Sequence, residues 1–199
     1  MANNPEKHHR RSIRLRGYDY SRAGAYFVTI CAQDRACLFG EVVDGKMQLN
    51  DAGRVVVDAW SWLNVQYPHI QLDEWVVMPH HLHGIIIISD GRGGSHVRAV
   101  REPPLRVRES MGVANRPNTR TAPTGKCKPI GRLIGAFKTV STKRINNMRG
   151  TPGISVWQRN YYEHIIRNDD SLNRIREYIV NNPLQWAMDR ENPVGAVRM

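Results

Sequence analysis

The sequence predicts an α+β domain in which helices pack on an antiparallel sheet. Short runs rich in aromatic and β-branched residues, such as residues 25–33 (AYFVTICAQ), predict strands. Other segments change to the helical period, with apolar residues on one face and polar residues elsewhere. Asp44 and Gly45 form a pair typical of hairpin turns. Strands and helices that mix without regular βαβ alternation indicate the α+β class.

The predicted elements follow in the order strand, strand, helix, strand, strand, long loop, helix, strand, helix. The strands are predicted at residues 25–33, about 38–43, 70–78, 81–88 and 155–167. Asn50 is predicted to cap the first helix, which Pro68 stops, and the second helix covers residues 129–150. The third begins at a cap near Asp169 or Asp170 and ends at Pro183. This order fits a ferredoxin-like sandwich.

The domain organisation follows from length and local composition. A chain of 199 residues is long enough for one well-buried domain, and an apolar content of 41% leaves room for polar extensions. We expect a basic, flexible arm at residues 1–16, one domain at 17–186 and a tail at 187–199. Within the domain, residues of about 90–128 are rich in Gly, Pro and Arg without a sustained period, which predicts a basic disordered insertion.

The net charge of +11 predicts a polyanionic partner, and nucleic acid is the first to consider. A membrane is disfavoured because the sequence has no apolar stretch of about 18 residues. The three cysteines, Cys31, Cys37 and Cys127, show no CxxC spacing and follow a polar, basic N-terminus. These features predict a cytoplasmic protein.

The segment VVMPHHLHGIIII, residues 76–88, carries histidines inside an apolar strand. His81 and His83 point to the same side as Ile85 and Ile87, because side chains two residues apart share one face of a strand. Both faces of the second half are apolar, which predicts a central strand covered on both sides. Two imidazoles on one face could bind a divalent cation, or they could be half-buried polar side chains at a strand end.

In the last helix, Tyr178 and Asn182 stand four residues apart and project from the same face. The phenol could act as a nucleophile and the amide oxygen as a ligand for a hard metal ion. The other interpretation is structural: Tyr178 flanks the core, and Asn182 ends the helix before Pro183.

Three segments together carry a family resemblance: VVMPHHLHGIIII, WQRNYYEHIIR and REYIVNNPLQW. From about residue 14 to residue 186, the chain resembles the REP-associated tyrosine transposases, which are single-tyrosine HUH enzymes. The resemblance implies the HUH endonuclease fold. It also implies that the protein cuts and rejoins single-stranded DNA, on hairpin-forming repetitive palindromes, through a 5′-phosphotyrosine and without a nucleotide cofactor.

The site residues implied by this resemblance can be assigned position by position. His81 and His83 match the metal-binding pair, Tyr178 matches the nucleophile, and Asn182 matches a polar residue that completes the metal site in related enzymes. The expected cofactor is Mg²⁺ or Mn²⁺. The family often has Asn at the position of His80, so which residues bind the metal stays open. A monomer is favoured over a dimer that exchanges the tyrosine helix.

Cationic and aromatic side chains near these motifs could bind single-stranded or hairpin DNA. The predicted cations are Arg159, Arg167, Lys138, Lys143 and Arg144, and the rings that could stack are Trp157, Tyr161 and Tyr162. Glu163 and His164 could act as acid or base, or could be a polar pair at a strand edge. Two other classes stay open: a catalytically inactive nucleic-acid-binding module of the same fold, and a metal hydrolase that uses water.

Overall fold

A computed structural model describes residues 17–89 and 128–186, and the predictions for the arm, the tail and all of the insertion except Lys128 lie outside these ranges. The strands are β1 (Gly24–Cys31), β2 (Gly40–Val43), β3 (Lys46–Leu49), β4 (Ile70–Met78), β5 (His81–Ile88) and β6 (Tyr162–Ile166). The helices are α1 (Asp51–Gln66), α2 (Ile130–Arg149) and α3 (Asp169–Gln185). None of them, in the ranges described, is long and apolar enough to cross a membrane.

The main sheet has the strand order β4-β5-β1-β6, and every neighbouring pair is antiparallel. This arrangement confirms the predicted α+β class with an antiparallel sheet and packed helices. The prediction missed β3, which pairs with β2 in a separate two-stranded sheet. Asp44 and Gly45 between them both have positive φ, 51° and 70°, as a tight two-residue hairpin turn requires. The sequence therefore predicts the turn but not the second strand that follows it.

Helices cover both faces of the main sheet. On one face, α1 and α2 bury side chains such as Trp60 and Phe137 against Val28 and Ile86 of the sheet. On the other face, α3 buries apolar side chains against Phe27, and this second cluster also includes Ile85 and Ile87. All eight residues of β5 are buried, which confirms that this strand is central and covered on both sides.

The helix boundaries are partly as predicted. Asn50 caps α1, and its side chain accepts a hydrogen bond from the amide of Gly53. The cap of α3 is Asn168, not Asp169 or Asp170, because the Asn168 side chain accepts the amide of Ser171 at 2.8 Å. The predicted end at Pro183 was also wrong, since α3 continues to Gln185.

The predicted strand at residues 155–167 is shorter in the structure, where β6 spans only Tyr162–Ile166. Trp157 forms an isolated bridge with Ala32 instead of joining a continuous ladder. Between these two points, Nζ of Lys138 in α2 donates to the carbonyls of Gln158 and Asn160, at 2.8 and 2.9 Å. Residues 158–160 thus turn their carbonyls towards the ammonium group and lie outside β6.

Candidate active site

Strand register places a row of functional side chains across the sheet. His83 of β5 lies opposite Thr29 of β1, and Thr29 lies opposite Tyr162 of β6. Phe27 is two residues before Thr29 and therefore on the same face, the one that packs against α3. The row runs from the central strand to the open edge of the sheet, beneath the helix that carries Tyr178.

The imidazoles of His81 and His83 meet on this face, with their Nε2 atoms 2.9 Å apart. Both side chains are buried, with exposed fractions of 1% and 4%. Burial lowers the pKa of His81 to about 2, assisted by repulsion from His83, His80 and Arg35. Burial and repulsion from His80 lower the pKa of His83 to about 3. Two neutral imidazoles therefore face each other at physiological pH.

Each imidazole has a polar partner on its other nitrogen. Thr29 Oγ1 lies 2.8 Å from His83 Nδ1, and His80 Nδ1 lies 3.0 Å from His81 Nδ1. When Thr29 Oγ1 and His80 Nδ1 accept hydrogen bonds from protonated Nδ1 atoms of His83 and His81, both Nε2 atoms keep a lone pair for the site. Such outer hydrogen bonds fix the tautomer and the ring orientation of metal-binding histidines.

Tyr178 of α3 completes the cluster of polar atoms. Its hydroxyl lies 3.2 Å from His83 Nε2, and its ring centroid lies 5.2 Å from that of His83. Phe27 supports both rings, with centroids 5.5 Å from His83 and 6.2 Å from Tyr178. Tyr178 is 42% exposed. Its hydroxyl can therefore reach a substrate from solvent while it contacts the buried histidines.

Asn182 follows Tyr178 by one helical turn and is only 1% exposed. Its Oδ1 is buried and has no hydrogen-bond partner among residues 17–89 and 128–186. A buried amide oxygen without a partner costs roughly 1–3 kcal/mol, so a bound ligand that used it would recover this cost. The continuation of α3 past Pro183 also brings Trp186 against His80 and His81, with ring centroids at 5.1 and 6.0 Å.

The donor atoms fit a divalent cation. Two ligands with bonds of ~2.1 Å at adjacent octahedral positions lie ~3.0 Å apart, close to the observed separation of 2.9 Å between the Nε2 atoms of His81 and His83. Asn182 Oδ1, on α3, is a buried oxygen atom without a hydrogen-bond partner in the described part of the chain and could serve as a further metal ligand. Among the described residues no three His, Cys, Asp or Glu side chains form a metal-binding group.

The predicted DNA-binding cations are scattered in the structure. Lys143 and Arg144 are exposed on α2, across the sheet from Tyr178, and Arg159 is exposed in the segment before β6. Arg167 lines a groove between β6 and α3. Lys138 directs Nζ to three backbone carbonyls at 2.8–3.3 Å, and burial lowers its pKa to about 8. In this arrangement its hydrogen-bonding capacity serves the protein's own loop.

Glu163 and His164 lie on opposite faces of the sheet. Glu163 pairs with Val28 and is buried on the side of α1 and α2, whereas His164 pairs with Phe27 on the side of Tyr178. Sequence reasoning missed Thr29 and Phe27, which support the site from β1. Thr29 and Phe27 contact His83 because of the way β1 pairs with β5, and no local sequence pattern predicts that pairing.

Comparison with known proteins supports the fold. No family model matches the chain. An uncharacterized protein of Haemophilus influenzae is 41% identical over 184 residues, covering 92% of this chain and 93% of that protein. Among solved structures, a REP-associated tyrosine transposase bound to a REP hairpin superposes with a TM-score of 0.53 and 18% identity. That match covers 88% of this chain and 74% of the other, and at this identity it shows a shared fold.

Proposed function

We propose that this chain, which belongs to the same family as the uncharacterized Haemophilus influenzae protein, is a transposase-like enzyme that cleaves and rejoins single-stranded DNA. Tyr178 is the proposed nucleophile, and His81, His83 and Asn182 are the proposed ligands of Mg²⁺ or Mn²⁺. Hairpin-forming repeats are the proposed substrate, in keeping with the REP hairpin bound by the structural neighbour.

The observation that carries this proposal is the contact between Tyr178 and the histidine pair. A hydroxyl 3.2 Å from His83 Nε2 lies at the cluster where His81 Nε2 also points, and the phenol is solvent-accessible. A tyrosine that only filled the core would have little reason to expose 42% of its surface beside two neutral, buried imidazoles. Since Tyr178 reaches the histidines of its own chain, we propose that the monomer suffices for catalysis.

The reaction is a transesterification. The Tyr178 oxygen attacks phosphorus, its phenolic proton leaves, and the bond from phosphorus to the 3′-oxygen breaks. The departing oxygen takes a proton to become a 3′-hydroxyl, and the 5′ side stays linked to Tyr178 as a phosphotyrosine. The linkage keeps the energy of the phosphodiester, so a 3′-hydroxyl can reverse the attack and join a strand without a nucleotide cofactor.

The side chains around Tyr178 prepare this step. Phe27 and His83 hold the phenol ring on two sides, which limits its orientations. Thr29 and His80 support the imidazoles from outside. The bound divalent ion would supply Lewis-acid stabilisation of the negative charge that develops on the phosphate oxygens. Because imidazoles suit transition metals better than Mg²⁺, Mn²⁺ is the better match for the ligands.

The test is a covalent-adduct assay on denaturing gels. Labelled hairpin oligonucleotides with single-stranded flanks are incubated with the protein and Mn²⁺ or Mg²⁺, or with EDTA. The expected result is a metal-dependent protein–DNA adduct that Tyr178→Phe abolishes and that the control Tyr67→Phe, on the far face of the sheet, retains. Cleavage without an adduct would point to hydrolysis by water, and binding without cleavage to an inactive binding module.

A further inference from the structure

A groove between β6 and α3 has no role in the chemistry described so far. It has a volume of about 440 Å³. Its lining includes Tyr162 and His164 on the strand, Arg167 and Asn168 in the connection, and Ser171 and Arg174 on the helix. Tyr20, which precedes β1, also lines the groove.

The groove begins beside the proposed nucleophile. Arg174 precedes Tyr178 by four residues, so both side chains project from the same side of α3. On the sheet, Tyr162 is in the same cross-strand row as Thr29 and His83. The Phe27 ring links the two sides, since its centroid lies 6.3 Å from Tyr162 and 6.2 Å from Tyr178.

The exposed groups in the groove match an unpaired nucleotide chain. Tyr162 is 44% exposed and offers a flat ring to solvent. Arg167 and Arg174 are exposed cations further along the groove. Glu163 also lines the groove, but it is 7% exposed and its side chain points to the opposite face of the sheet. Aromatic surfaces beside backbone-binding cations are the usual means of binding single strands without sequence preference.

We propose that this groove binds the single-stranded DNA flank next to the phosphate at Tyr178. A base of the flank stacks on Tyr162, and the following phosphates lie against Arg174 and Arg167. A base inside a duplex is covered on both faces by its stacked neighbours and cannot stack on Tyr162, so the groove selects substrates that are unpaired beside the cleavage position. The inference rests on the proposed function, because it takes the scissile phosphate to lie at Tyr178.

Binding can be measured apart from chemistry by placing every protein in the Tyr178→Phe background. Fluorescence anisotropy is recorded with a labelled oligothymidine of twelve nucleotides and with a blunt DNA hairpin that has no single-stranded flank. Tyr162→Ala tests stacking, and Tyr162→Phe keeps the ring as its control. Arg174→Ala tests the phosphate contact, and Arg54→Ala removes the same charge from α1 on the other face. Tyr162 and Arg174 are exposed, so neither truncation disturbs the core.

We expect Tyr162→Ala and Arg174→Ala each to weaken oligothymidine binding about 5-fold or more, the change that corresponds to one lost stacking or charged contact. Tyr162→Phe and Arg54→Ala should bind like the parent protein. Arg174→Ala should also reduce the slope of log affinity against log salt by ~0.7, the value for one phosphate of a single strand. The blunt hairpin should lose much less affinity than oligothymidine.

Two results would overturn the inference. One is unchanged oligothymidine binding by both truncations, and the other is an equal loss for the blunt hairpin, which would indicate general attraction to DNA. The adduct assay judges the proposed function separately. If the adduct forms but the groove variants bind oligothymidine normally, only the proposed role of the groove is wrong. If the groove variants bind more weakly but no adduct forms, Tyr178 is not the nucleophile and the groove remains a site that binds single strands.

Discussion

Thr29 Oγ1 lies 2.8 Å from His83 Nδ1, across the β1–β5 pair. The hydroxyl can accept a hydrogen bond from the Nδ1–H group, which leaves the Nε2 lone pair directed at His81 and Tyr178. The threonine would then be a positioning residue that acts on the proposed metal through His83. The arrangement leads to a prediction about metal affinity that does not depend on DNA cleavage.

Thr29→Val should weaken Mn²⁺ binding about 10-fold, because the loss of a histidine's outer hydrogen bond typically costs 10- to 100-fold in metal affinity. Valine keeps the shape of threonine but has no hydroxyl. Thr29→Ser keeps the hydroxyl and should retain most of the affinity. Isothermal titration calorimetry of Mn²⁺ with DNA-free protein measures the effect, and equal affinities for the valine and serine variants would rule out the positioning role.

The stability of the metal-free protein should fall as the pH decreases below about 6.5. The pKa values of buried His81 and His83 are about 2 and 3, below the value of 6.5 for an exposed histidine. Between pH 6.5 and these lower pKa values, the unfolded chain takes up protons that the folded protein does not. Each of the two histidines therefore lowers the free energy of unfolding by up to ~1.4 kcal/mol for each pH unit. Urea unfolding in EDTA at pH 7 and pH 5 measures the slope. The double variant His81→Gln/His83→Gln should show a flatter dependence, and an unchanged slope would contradict the account.

The ion pair between Arg176 of α3 and Asp73 of β4 should stabilise the position of the tyrosine helix. Arg176 donates through Nε and Nη2 to the two carboxylate oxygens, at 2.7 and 2.5 Å. Burial raises the pKa of Asp73, but these bonds outweigh it and hold the pKa below its usual value. Since the Asp73 side chain is only 7% exposed, Arg176→Ala should cost ~1–3 kcal/mol of unfolding free energy.

The matched control is Arg54→Ala, which removes an arginine from the exposed pair with Asp51 on α1. This pair is more than half exposed on both sides and should contribute less than ~1 kcal/mol. Thermal or urea unfolding of the two variants compares the pairs directly. Equal losses would show that Arg176 is no more important to the fold than a surface arginine.

Gly84, between His83 and Ile85 in the central strand, should not tolerate a side chain. A Cβ placed there would lie 2.6 Å from Cζ2 of Trp60, a ring that is fully buried and cannot move aside. Gly84→Ala should therefore destabilise the fold by ~1–3 kcal/mol through overpacking. Gly135→Ala is the contrasting substitution, because its Cβ would meet nothing within 4 Å, and on helix α2 it should be neutral or stabilising by up to ~1 kcal/mol. Similar effects at both positions in urea unfolding would contradict this packing.

The correct predictions about side-chain placement rest on the local periodicity of strands and helices. The alternation of β5 places His81 and His83 on one face, and the helical period places Tyr178 and Asn182 together. The structure brings His81, His83 and Tyr178 into contact, while their roles and that of Asn182 stay predictions. The register between β1 and β5 could not be predicted, because no local sequence pattern indicates that Thr29 lies opposite His83.

Other differences arose where tertiary contacts override a local rule. Pro183 lacks an amide hydrogen and so removes one i→i−4 hydrogen bond from α3, yet the helix continues to Gln185. The packing of Trp186 against His80 and His81 accompanies the extra turn. Lys138 fits the polar face of an amphipathic helix, yet the structure turns its ammonium group to a loop 20 residues further along the chain.

The central claim is that Tyr178 forms a covalent bond with DNA. The most direct measurement is mass spectrometry of the protein after reaction with a flanked DNA hairpin in Mn²⁺, nuclease treatment and tryptic digestion. The account predicts a nucleotide-phosphate adduct on the peptide that begins at Glu177, with fragmentation that places it on Tyr178, and no adduct in EDTA or in Tyr178→Phe. Cleaved DNA with an unmodified Tyr178, or an adduct on another residue, would contradict it.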